Sequence, residues 1–355
     1  MGDSLNAPRI LEDLVRRAER ARASDVHLQM RGKSASVAFR LDGALTPLEE
    51  LGEEIAERVF GRIKYLARLK TYQDSLPQDG RIEKAEIGSR EDIRVATYPT
   101  VTGEKIVLRL FSAAEAKDFD ELGLASNLTA ELKRFLAGPA GLLLLTGPAG
   151  SGKTTTIYAC LRQLAAGGGR HIITVEDPVE QILPGIMQTE INEARGLDFA
   201  KAARHLLRQD PQVLVLGEIR DDETANLAVR ASLTGHLVIS TLHAGSCKGV
   251  VERLLVMCPD KYAVISAISL IVNQRLLRKV CEACGGAGCE ACLRTGYFGR
   301  IPVAEFIALD DALRARLREA GPSAIAPTPT LAEAALELVA HKRSNQAEFH
   351  RLFGQ

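Results

Sequence analysis

The sequence lacks a net charge, a long apolar run and any sign of a secretion signal. Its 45 basic residues balance 45 acidic residues over a length of 355, so overall charge does not favour nucleic acid as a partner, although a local basic patch remains compatible with the composition. No apolar run reaches the roughly 18 residues that a membrane-spanning helix needs. The opening residues, MGDSLNAPRI, lack the apolar core of a signal peptide. We therefore expect a cytoplasmic protein, long enough for two domains with a core each.

Cysteines are few and unevenly placed. Seven are present, an odd number that favours a reducing compartment over disulfide pairing. Four lie in CEACGGAGCEAC with the spacing C-x2-C-x4-C-x2-C. Two such hairpins can bring four thiolates tetrahedrally around Zn²⁺, and such a closed site predicts a structural rather than a catalytic zinc. A redox pair is the alternative, but it needs only one CxxC. The predicted ligands are Cys281, Cys284, Cys289 and Cys292.

The pattern of the first third of the chain indicates an α+β domain. Residues 10–22 have the periodicity of an amphipathic helix. SDVHLQM and SVAFRLDG alternate like strands, and an Asp-Gly pair ends the second of them in a turn. Further along, we predict a helix over roughly 48–70 and strands over 91–98 and 104–111.

A different pattern begins near residue 121. Short apolar strands alternate with helical stretches, in the order GLLLLTG, HIITVED, VLVLGE and HLVISTLH. This alternation predicts a parallel sheet with helices on both faces and with ligands at the carboxyl ends of its strands. We predict an N-terminal α+β domain over 1–112, a linker over 113–120, and an α/β domain over 121–355 that includes the cysteine element at 278–300 and a helical C-terminal tail.

Two later segments carry signals of their own. YAVISAISLIVNQ, at 262–274, is predicted to form a buried helix. Thr330 and Glu333 have the spacing of a capping box, which predicts the start of a final helix.

A phosphate-binding loop follows the first strand of the α/β domain. GPAGSGKT matches G-x-x-x-x-G-K-[ST] in full, between an apolar strand and a helical stretch. The glycines let backbone N–H groups point at a phosphate, Lys153 reaches the β- and γ-phosphates, and Thr154 can hold Mg²⁺. A glycine-rich turn without a ligand is the plain alternative, which this context disfavours. The predicted nucleotide-binding residues are Gly147, Pro148, Ala149, Gly150, Ser151, Gly152, Lys153, Thr154 and Thr155.

Carboxylates follow two further strands at the same predicted edge. Glu176, Asp177 and Glu180 come at the end of HIITVEDPVE. Such a cluster is usually a solvated turn, but beside a phosphate loop Asp177 and Glu180 could hold a magnesium shell through water. Glu218 ends VLVLGE, and Gly217 stands where many such strands carry a magnesium-binding aspartate. Glu218 is therefore predicted to polarise the attacking water, because phosphoryl transfer depends on positioning and charge stabilisation.

Two histidines bracket the strand in TGHLVISTLHAG. His243 follows the strand, at the edge where the γ-phosphate would lie, so it could sense or orient that phosphate. His236 precedes the strand, nearer the opposite edge, where a direct phosphate role is less expected. The plain alternative is that both are satisfied polar residues at strand ends.

Together these motifs resemble the family of type II secretion and type IV pilus assembly ATPases. The phosphate loop GPAGSGKTTTIYA, the aspartate box ITVEDPVE, the segment LLRQDPQVLVLGEIRDDETA and the histidine box TGHLVISTLHAG occur in that family's order. The glycine before Glu218 is that family's own departure from the usual pattern. ASDVHLQ, FRLDG, PQDGRI and DIRVATYPTVTGEKIVLRL extend the resemblance into the first domain, so that it covers residues from about 10 to 305.

The resemblance implies a PAS-like fold for the first domain and a RecA-like ATPase domain, in a cytoplasmic homohexamer. Such a motor hydrolyses ATP with Mg²⁺ and drives assembly of a pilus or pseudopilus through an inner-membrane platform protein. Besides Glu218, it implies functional roles for Glu176 and for both histidines. It also implies that Arg94 and Arg109, in the first domain, approach the phosphates. The plain alternative for these arginines is the solvent side of an alternating strand.

The subtype and two alternatives stay open. Chain length and the compact cysteine loop most resemble the competence-pseudopilus ATPases, and the zinc element favours an assembly motor over a retraction motor. A ring helicase or DNA translocase is supported by Arg275, Arg278 and Lys279 beside the cysteines. The neutral charge and the lack of basic stretches interleaved with aromatics oppose that alternative. A nucleotide-gated scaffold without turnover is the third possibility, which Glu218 argues against.

Overall fold

The computed structural model describes residues 6–110 and 117–354, and the chain divides into two compact units. Unit 1 lies within Met1–Glu115 and Val280–Gly299, and unit 2 within Ala116–Lys279 and Arg300–Gln355.

This division differs in one respect from the order of the sequence. Val280–Gly299, which holds the four cysteines, groups with unit 1, whereas its position in the chain led us to place it with the second domain. The first part of the predicted linker, 113–116, lies outside the described residues. Its last part leads into a 3-10 turn over Phe119–Glu121, where Phe119 is buried.

Unit 1 contains a six-stranded sheet in which neighbouring strands are antiparallel, in the order β3-β2-β1-β6-β5-β4. Buried side chains of α1 and α2 form one core with the inward residues of the strands. The elements are α1 (Ala7–Arg20), β1 (Asp25–Met30), β2 (Ser34–Leu41), β3 (Ala44–Gly52), α2 (Glu53–Leu66), β4 (Gln78–Ile82), α3 (Lys84–Ile87), β5 (Ile93–Thr100) and β6 (Gly103–Leu110).

Most of the predicted elements of unit 1 are confirmed. The Asp42-Gly43 turn has positive φ at both residues, 49° and 85°, as a tight hairpin between β2 and β3 requires. The predicted helix over 48–70 is wrong at its start, because β3 continues to Gly52 and only then does α2 begin. Pairing of β3 along the whole of β2 decides the conformation of these residues against their local pattern.

Unit 2 contains a seven-stranded sheet in the order β13-β12-β7-β11-β10-β8-β9, and all pairs from β12 to β9 are parallel. This confirms the predicted parallel-rich α/β class. The strands are β7 (Gly141–Thr146), β8 (Ile172–Glu176), β9 (Met187–Glu190), β10 (Val213–Ile219), β11 (Leu237–Leu242), β12 (Ile268–Val280) and β13 (Tyr297–Ala308). The helices are α4 (Ser126–Ala137), α5 (Lys153–Gly167), α6 (Phe199–Leu206), α7 (Asp222–Leu233), α8 (Cys247–Met257), α9 (Lys261–Ala267), α10 (Asp311–Ala320), α11 (Leu331–Ala340) and α12 (Gln346–Phe353).

The segment 262–274 does not form a single helix as predicted. The helix α9 ends at Ala267, and β12 begins at the next residue and pairs with β7. A short apolar run has the same composition in a buried helix and in a buried parallel strand, so periodicity could not separate the two. The end of this segment therefore lies beside β7, the strand that leads into the phosphate loop.

The C-terminal helices agree with the sequence signals. Thr330 and Glu333 make the predicted capping box at the start of α11. None of the helices in the described ranges combines the length and the hydropathy that crossing a bilayer requires.

Candidate functional site

The phosphate loop connects the buried strand β7 to helix α5. Three of its glycines, Gly147, Gly150 and Gly152, have φ values of 136°, 73° and 90°, which other residues rarely adopt. The side chain of Lys153 folds over the loop, where its Nζ donates hydrogen bonds to the carbonyl oxygens of Gly147, at 2.8 Å, and Pro148, at 3.0 Å. A phosphate held by the loop would therefore meet an ammonium group that is already in place.

The environment of Lys153 is tuned by two opposing effects. Partial burial lowers the pKa of its ammonium group, because a charge loses hydration there. The carboxylate of Glu218 acts in the opposite direction and favours the charged form. The charge of Glu218 is therefore near enough to Lys153 to act on its ammonium group.

Glu218 lies at the carboxyl end of β10, in a local irregularity of the sheet. The pairing of β10 with β11 shifts register between Leu216 and Ile219, and a bulge of this kind can redirect a side chain. One carboxylate oxygen of Glu218 forms an ion pair with Arg220, and the other lies 3.6 Å from Nε2 of His243. The structure thus brings Glu218 and His243 together, as their positions after neighbouring parallel strands predicted.

Arg220 is a member of this group that the sequence analysis missed. Its guanidinium also lies 3.6 Å from the carboxylate of Asp177 in the aspartate box. The hydrogen bond to Glu218 raises the pKa of Arg220, so the side chain is a fixed positive charge. Its position two residues after Glu218 was the available signal, since residues i and i+2 of a strand lie on one face.

The packing around Gly217 leaves little room for the aspartate that many such strands carry at this position. A Cβ atom at this position would lie 3.1 Å from the carbonyl oxygen of Val175 and 3.4 Å from a ring carbon of Phe199. A carboxylate side chain would therefore need space that neighbouring groups already occupy.

The three carboxylates of the aspartate box have different environments. Glu176 is buried, and its two oxygens accept hydrogen bonds from Tyr158 and Thr174, both at 2.5 Å, and from Gln188 at 3.0 Å. Burial, followed by the bond to Glu176, raises the pKa of Tyr158 to about 12, so this phenol stays a donor. Asp177 and Glu180 are exposed, and Asp177 contacts Arg220. Only the exposed pair thus has oxygens available to a hydrated ion.

The structure does not bring His236 to this edge. Its Nδ1 lies 2.9 Å from the carbonyl oxygen of Ala231 and 3.3 Å from the hydroxyl of Thr234, at the end of α7. Its backbone carbonyl accepts a hydrogen bond from Gly141, the first residue of β7. His236 therefore lies at the amino ends of these strands, away from the phosphate loop.

In unit 1, Arg94 and Arg109 are direct cross-strand partners on β5 and β6. Residues opposite each other in an antiparallel pair lie on one face of the sheet, so the two arginines share a face. Both side chains are exposed, and Nε of Arg109 donates to the carboxylate of Asp25 at 3.1 Å. The register extends the row to Arg81 on one side and, through Asp25, to Arg40 on the other.

The four cysteines converge as predicted. Within the described residues, their sulfur atoms lie within 4.8 Å of one another, and three of the separations are 3.9, 3.9 and 3.7 Å. Four thiolates at about 2.3 Å from a tetrahedral metal would be about 3.8 Å apart. The residues present therefore fit a closed, tetrahedral metal site.

Contacts within unit 1 anchor this cysteine element. The amide of Gly299 donates a 2.8 Å hydrogen bond to the carboxylate of Asp42, in the β2–β3 turn. The guanidinium of Arg22 lies 5.7 Å from the centre of the Phe298 ring, and Leu293 packs against the unit 1 core. The element is consequently part of the packing of the first unit.

The basic residues beside the cysteines have structural partners. Arg278 pairs with the buried carboxylate of Glu348 on α12, at 2.8 Å. Arg275 donates to the carbonyl oxygen of Leu352, and its guanidinium lies 5.9 Å from the Phe353 ring centre. These two arginines hold the C-terminal helix, which removes much of the support for a nucleic-acid-binding ribbon.

A phosphate loop at the carboxyl edge of a parallel sheet, with a carboxylate and a histidine beside it, defines a P-loop ATPase. The sequence matches the family described as "Type II/IV secretion system protein" over residues 2–350. It is 42% identical to the type II secretion system protein HxcR of Pseudomonas aeruginosa over 315 residues, which are 86% of this chain and 67% of that protein. It is 37% identical to the type IV pilus assembly ATPase PilB of Thermus thermophilus over 88% of this chain and 38% of that protein.

Solved structures agree in fold. The pilus retraction motor PilT with bound ADP superposes with a TM-score of 0.61 at 25% identity, over 97% of this chain and 93% of that chain. The ATPase DotB of Legionella pneumophila superposes with a TM-score of 0.76 at 20% identity, over 100% and 98% of the two chains. The chain belongs to the type II/IV secretion system ATPase family. The comparisons give no support to the alternative of a nucleic-acid translocase.

Proposed function

We propose that the protein is the ATP-hydrolysing motor of a machine that assembles a pilus or pseudopilus, as in type II secretion, type IV pilus or competence systems. The observation that carries the proposal is the convergence of Lys153, Glu218, Arg220 and His243 around the phosphate loop. Family membership supplies the class of machine.

Within the site, the chain's own residues divide the work. Backbone N–H groups of the loop and Lys153 bind the phosphates of ATP. Glu218 positions and polarises the attacking water. His243 lies beside Glu218, where its ring could contact both the γ-phosphate and the Glu218 carboxylate. Bound Mg²⁺ would supply charge neutralisation at the phosphates, with Thr154, Asp177 and Glu180 as the residues that could hold it or its water shell. We do not assign Glu176 to the reaction, because its oxygens already accept three hydrogen bonds.

Family membership and the geometry of the four cysteines support the remaining assignments. We propose a homohexamer in the cytoplasm, held at the inner face of the membrane by a platform protein. We propose that Arg94 and Arg109 supply positive charge to the phosphates during turnover. We further propose that the four cysteines hold one structural zinc ion. We keep the competence type as the proposed subtype, on the cysteine loop alone.

The function is tested by comparing phosphate release from ATP by the wild-type protein and by Lys153→Ala. We expect release by the wild type and none above background by the variant, because Lys153 binds the β- and γ-phosphates. Lys248→Ala, which removes an exposed lysine on α8, is the matched control and should behave like the wild type. A wild-type protein that binds ATP without releasing phosphate would instead favour the nucleotide-gated scaffold.

A further inference from the structure

The residue Gln274 on β12 contacts the phosphate loop from behind. It is 2% exposed, although its carboxamide is polar. Its Nε2 donates a 2.9 Å hydrogen bond to the carbonyl oxygen of Ser151, inside the loop. Its Oε1 accepts a 2.9 Å hydrogen bond from the hydroxyl of Thr156, in the first turn of α5. One buried side chain therefore joins the loop to the helix that follows it.

The glycines of the loop leave the space that Gln274 fills. A Cβ atom at Gly152 would lie 2.7 Å from Nε2 of Gln274, and a Cβ atom at Gly147 would overlap its carbonyl oxygen. Both glycines also have positive φ, so any other residue would be strained there. Glycine is thus required at these two positions for a second reason besides the access of a phosphate, because β12 approaches the loop closely.

Strand pairing fixes the position of Gln274. The preceding residue, Asn273, pairs with Thr146, the last residue of β7. The side chain of Asn273 donates to the carbonyl oxygen of Gly245, at 3.1 Å, just beyond His243. Two adjacent residues of β12 therefore contact different loops of the site. Gln274 contacts the phosphate loop, and Asn273 contacts the loop that follows His243.

We propose that Gln274 is a positioning residue, which holds the phosphate loop in its nucleotide-binding conformation through hydrogen bonds to Ser151 and Thr156. The proposal deepens the proposed function and rests on it, since it concerns binding at the same loop. A buried amide that is satisfied on both sides fixes the loop before a nucleotide arrives, so less of the binding free energy is spent on ordering the loop. The effect is expected on affinity, because the loop contacts the phosphates in both the ground state and the transition state.

The test compares Gln274→Met with the wild type in full-length protein, with binding of fluorescent ADP and steady-state hydrolysis of ATP as readouts. Methionine keeps the approximate volume but makes neither hydrogen bond. We expect the Kd for ADP and the KM for ATP to rise at least ~10-fold, which corresponds to about 1.4 kcal/mol. We expect kcat to stay within about threefold of the wild-type value, as a loss of uniform binding predicts.

A control separates positioning from simple loss of packing. Val272→Ala removes buried volume from the same strand, two residues away, and should lower the Tm with little change in the Kd for ADP. If Gln274→Met lowers the Tm as Val272→Ala does but binds ADP like the wild type, Gln274 only fills space and the proposal is overturned.

A second variant keeps the proposal testable if Gln274→Met does not fold. Thr156→Val removes the donor to Oε1 of Gln274 and should raise the Kd for ADP several-fold, in the same direction as Gln274→Met. Unchanged ADP affinity in Thr156→Val would contradict the proposal. A wild-type protein that binds neither ADP nor ATP would instead overturn the proposed function itself, so the two failures are distinguishable.

Discussion

The two units place chemically active residues in different parts of their strands. In the parallel sheet of unit 2, every residue of β7 and β11 is buried, so only the strand ends can present polar groups to a ligand. In the antiparallel sheet of unit 1, β5 alternates between buried and exposed residues, and Arg94 projects from within the strand. A buried parallel sheet thus collects its chemistry at one edge, whereas a sheet with one open face can carry a row of charges across its width.

The two locations also differ in how charge is balanced. At the edge of unit 2, Glu218 and Asp177 both contact Arg220, so opposite charges meet. In unit 1, Arg94 and Arg109 are directly opposite each other, an arrangement that costs stability when the charges are alike. Asp25 offsets part of that cost at Arg109. A row of exposed positive charges of this kind is what the proposed contact of Arg94 and Arg109 with phosphates requires.

The largest expected effect that tests this comparison is the loss of turnover in Arg94→Ala and Arg109→Ala. A cation that stabilises charge on the transferred phosphoryl group can contribute ~10³-fold or more, so hydrolysis should fall by that order. ADP binding and the Tm should stay near their wild-type values, because both side chains are exposed and Asp25 keeps its ion pair with Arg40 when Arg109 is removed. Steady-state hydrolysis alongside fluorescent-nucleotide binding measures both.

Arg58→Ala is the matched control for the arginine variants, since Arg58 is an exposed arginine on α2 that forms an ion pair with Glu54 in the same helix. Wild-type turnover in both Arg94→Ala and Arg109→Ala would leave the row as an ordinary solvent face. The proposed contribution of Arg94 and Arg109 to hydrolysis would then be wrong.

A smaller effect, on stability rather than turnover, is expected at the cysteines. Protein purified without added metal should contain about one zinc ion per chain, as a single closed thiolate site predicts. Cys281→Ser should lose the metal and lower the Tm by roughly 5 °C or more, the scale of losing a few kcal/mol. Elemental analysis and thermal unfolding measure these quantities.

The control for the metal content is Cys258→Ser, which changes a buried free cysteine outside the cluster. This variant should keep about one zinc ion per chain. Stable, metal-free wild-type protein would leave the four-cysteine arrangement without an explanation.

A change in stability that depends on pH, with little change in turnover, is expected at Glu348. Burial alone would raise the pKa of this carboxyl, but hydrogen bonds from Arg351 and Arg278 outweigh it and lower the pKa. A lowered folded-state pKa stabilises the fold above the unfolded value of about 4.3, and that stability is lost as the pH falls through the folded value. Glu348→Gln should therefore be less stable than the wild type near pH 7 by about 3 kcal/mol. Denaturant unfolding across pH should show the gap closing below about pH 4. A gap that persists unchanged at low pH would exclude the ion pairs as its cause.

The sequence allowed the positions of the candidate site residues in unit 2 to be predicted, but not the contacts that support them. Lys153, Glu218 and His243 were found because each follows an apolar strand, and parallel strands end at a common edge. Arg220 and Gln274 were missed for different reasons. Arg220 could be found only by asking which residues share a face with Glu218 at the end of β10. Gln274 lies in an apolar run that is a strand because it pairs with β7.

In unit 1, too, the features that the sequence did not predict depend on contacts between distant segments. The pairing of Arg94 with Arg109 could be anticipated from two alternating strands, although the exact register could not. The grouping of Val280–Gly299 with unit 1 depends on the contacts of Leu293, Phe298 and Gly299. Contacts between segments so far apart in sequence leave no local pattern from which they could be read.

The most direct test of the account is ATP turnover by Glu218→Gln, measured together with nucleotide affinity. Glutamine keeps the shape of the side chain but cannot polarise water as a carboxylate does. We predict wild-type affinity and a turnover at least ~100-fold lower, the scale of losing an activating group. Glu252→Gln, an exposed carboxylate on α8, should match the wild type. Near-normal turnover in Glu218→Gln would contradict the account and move the catalytic role to the exposed carboxylates of the aspartate box, Asp177 and Glu180.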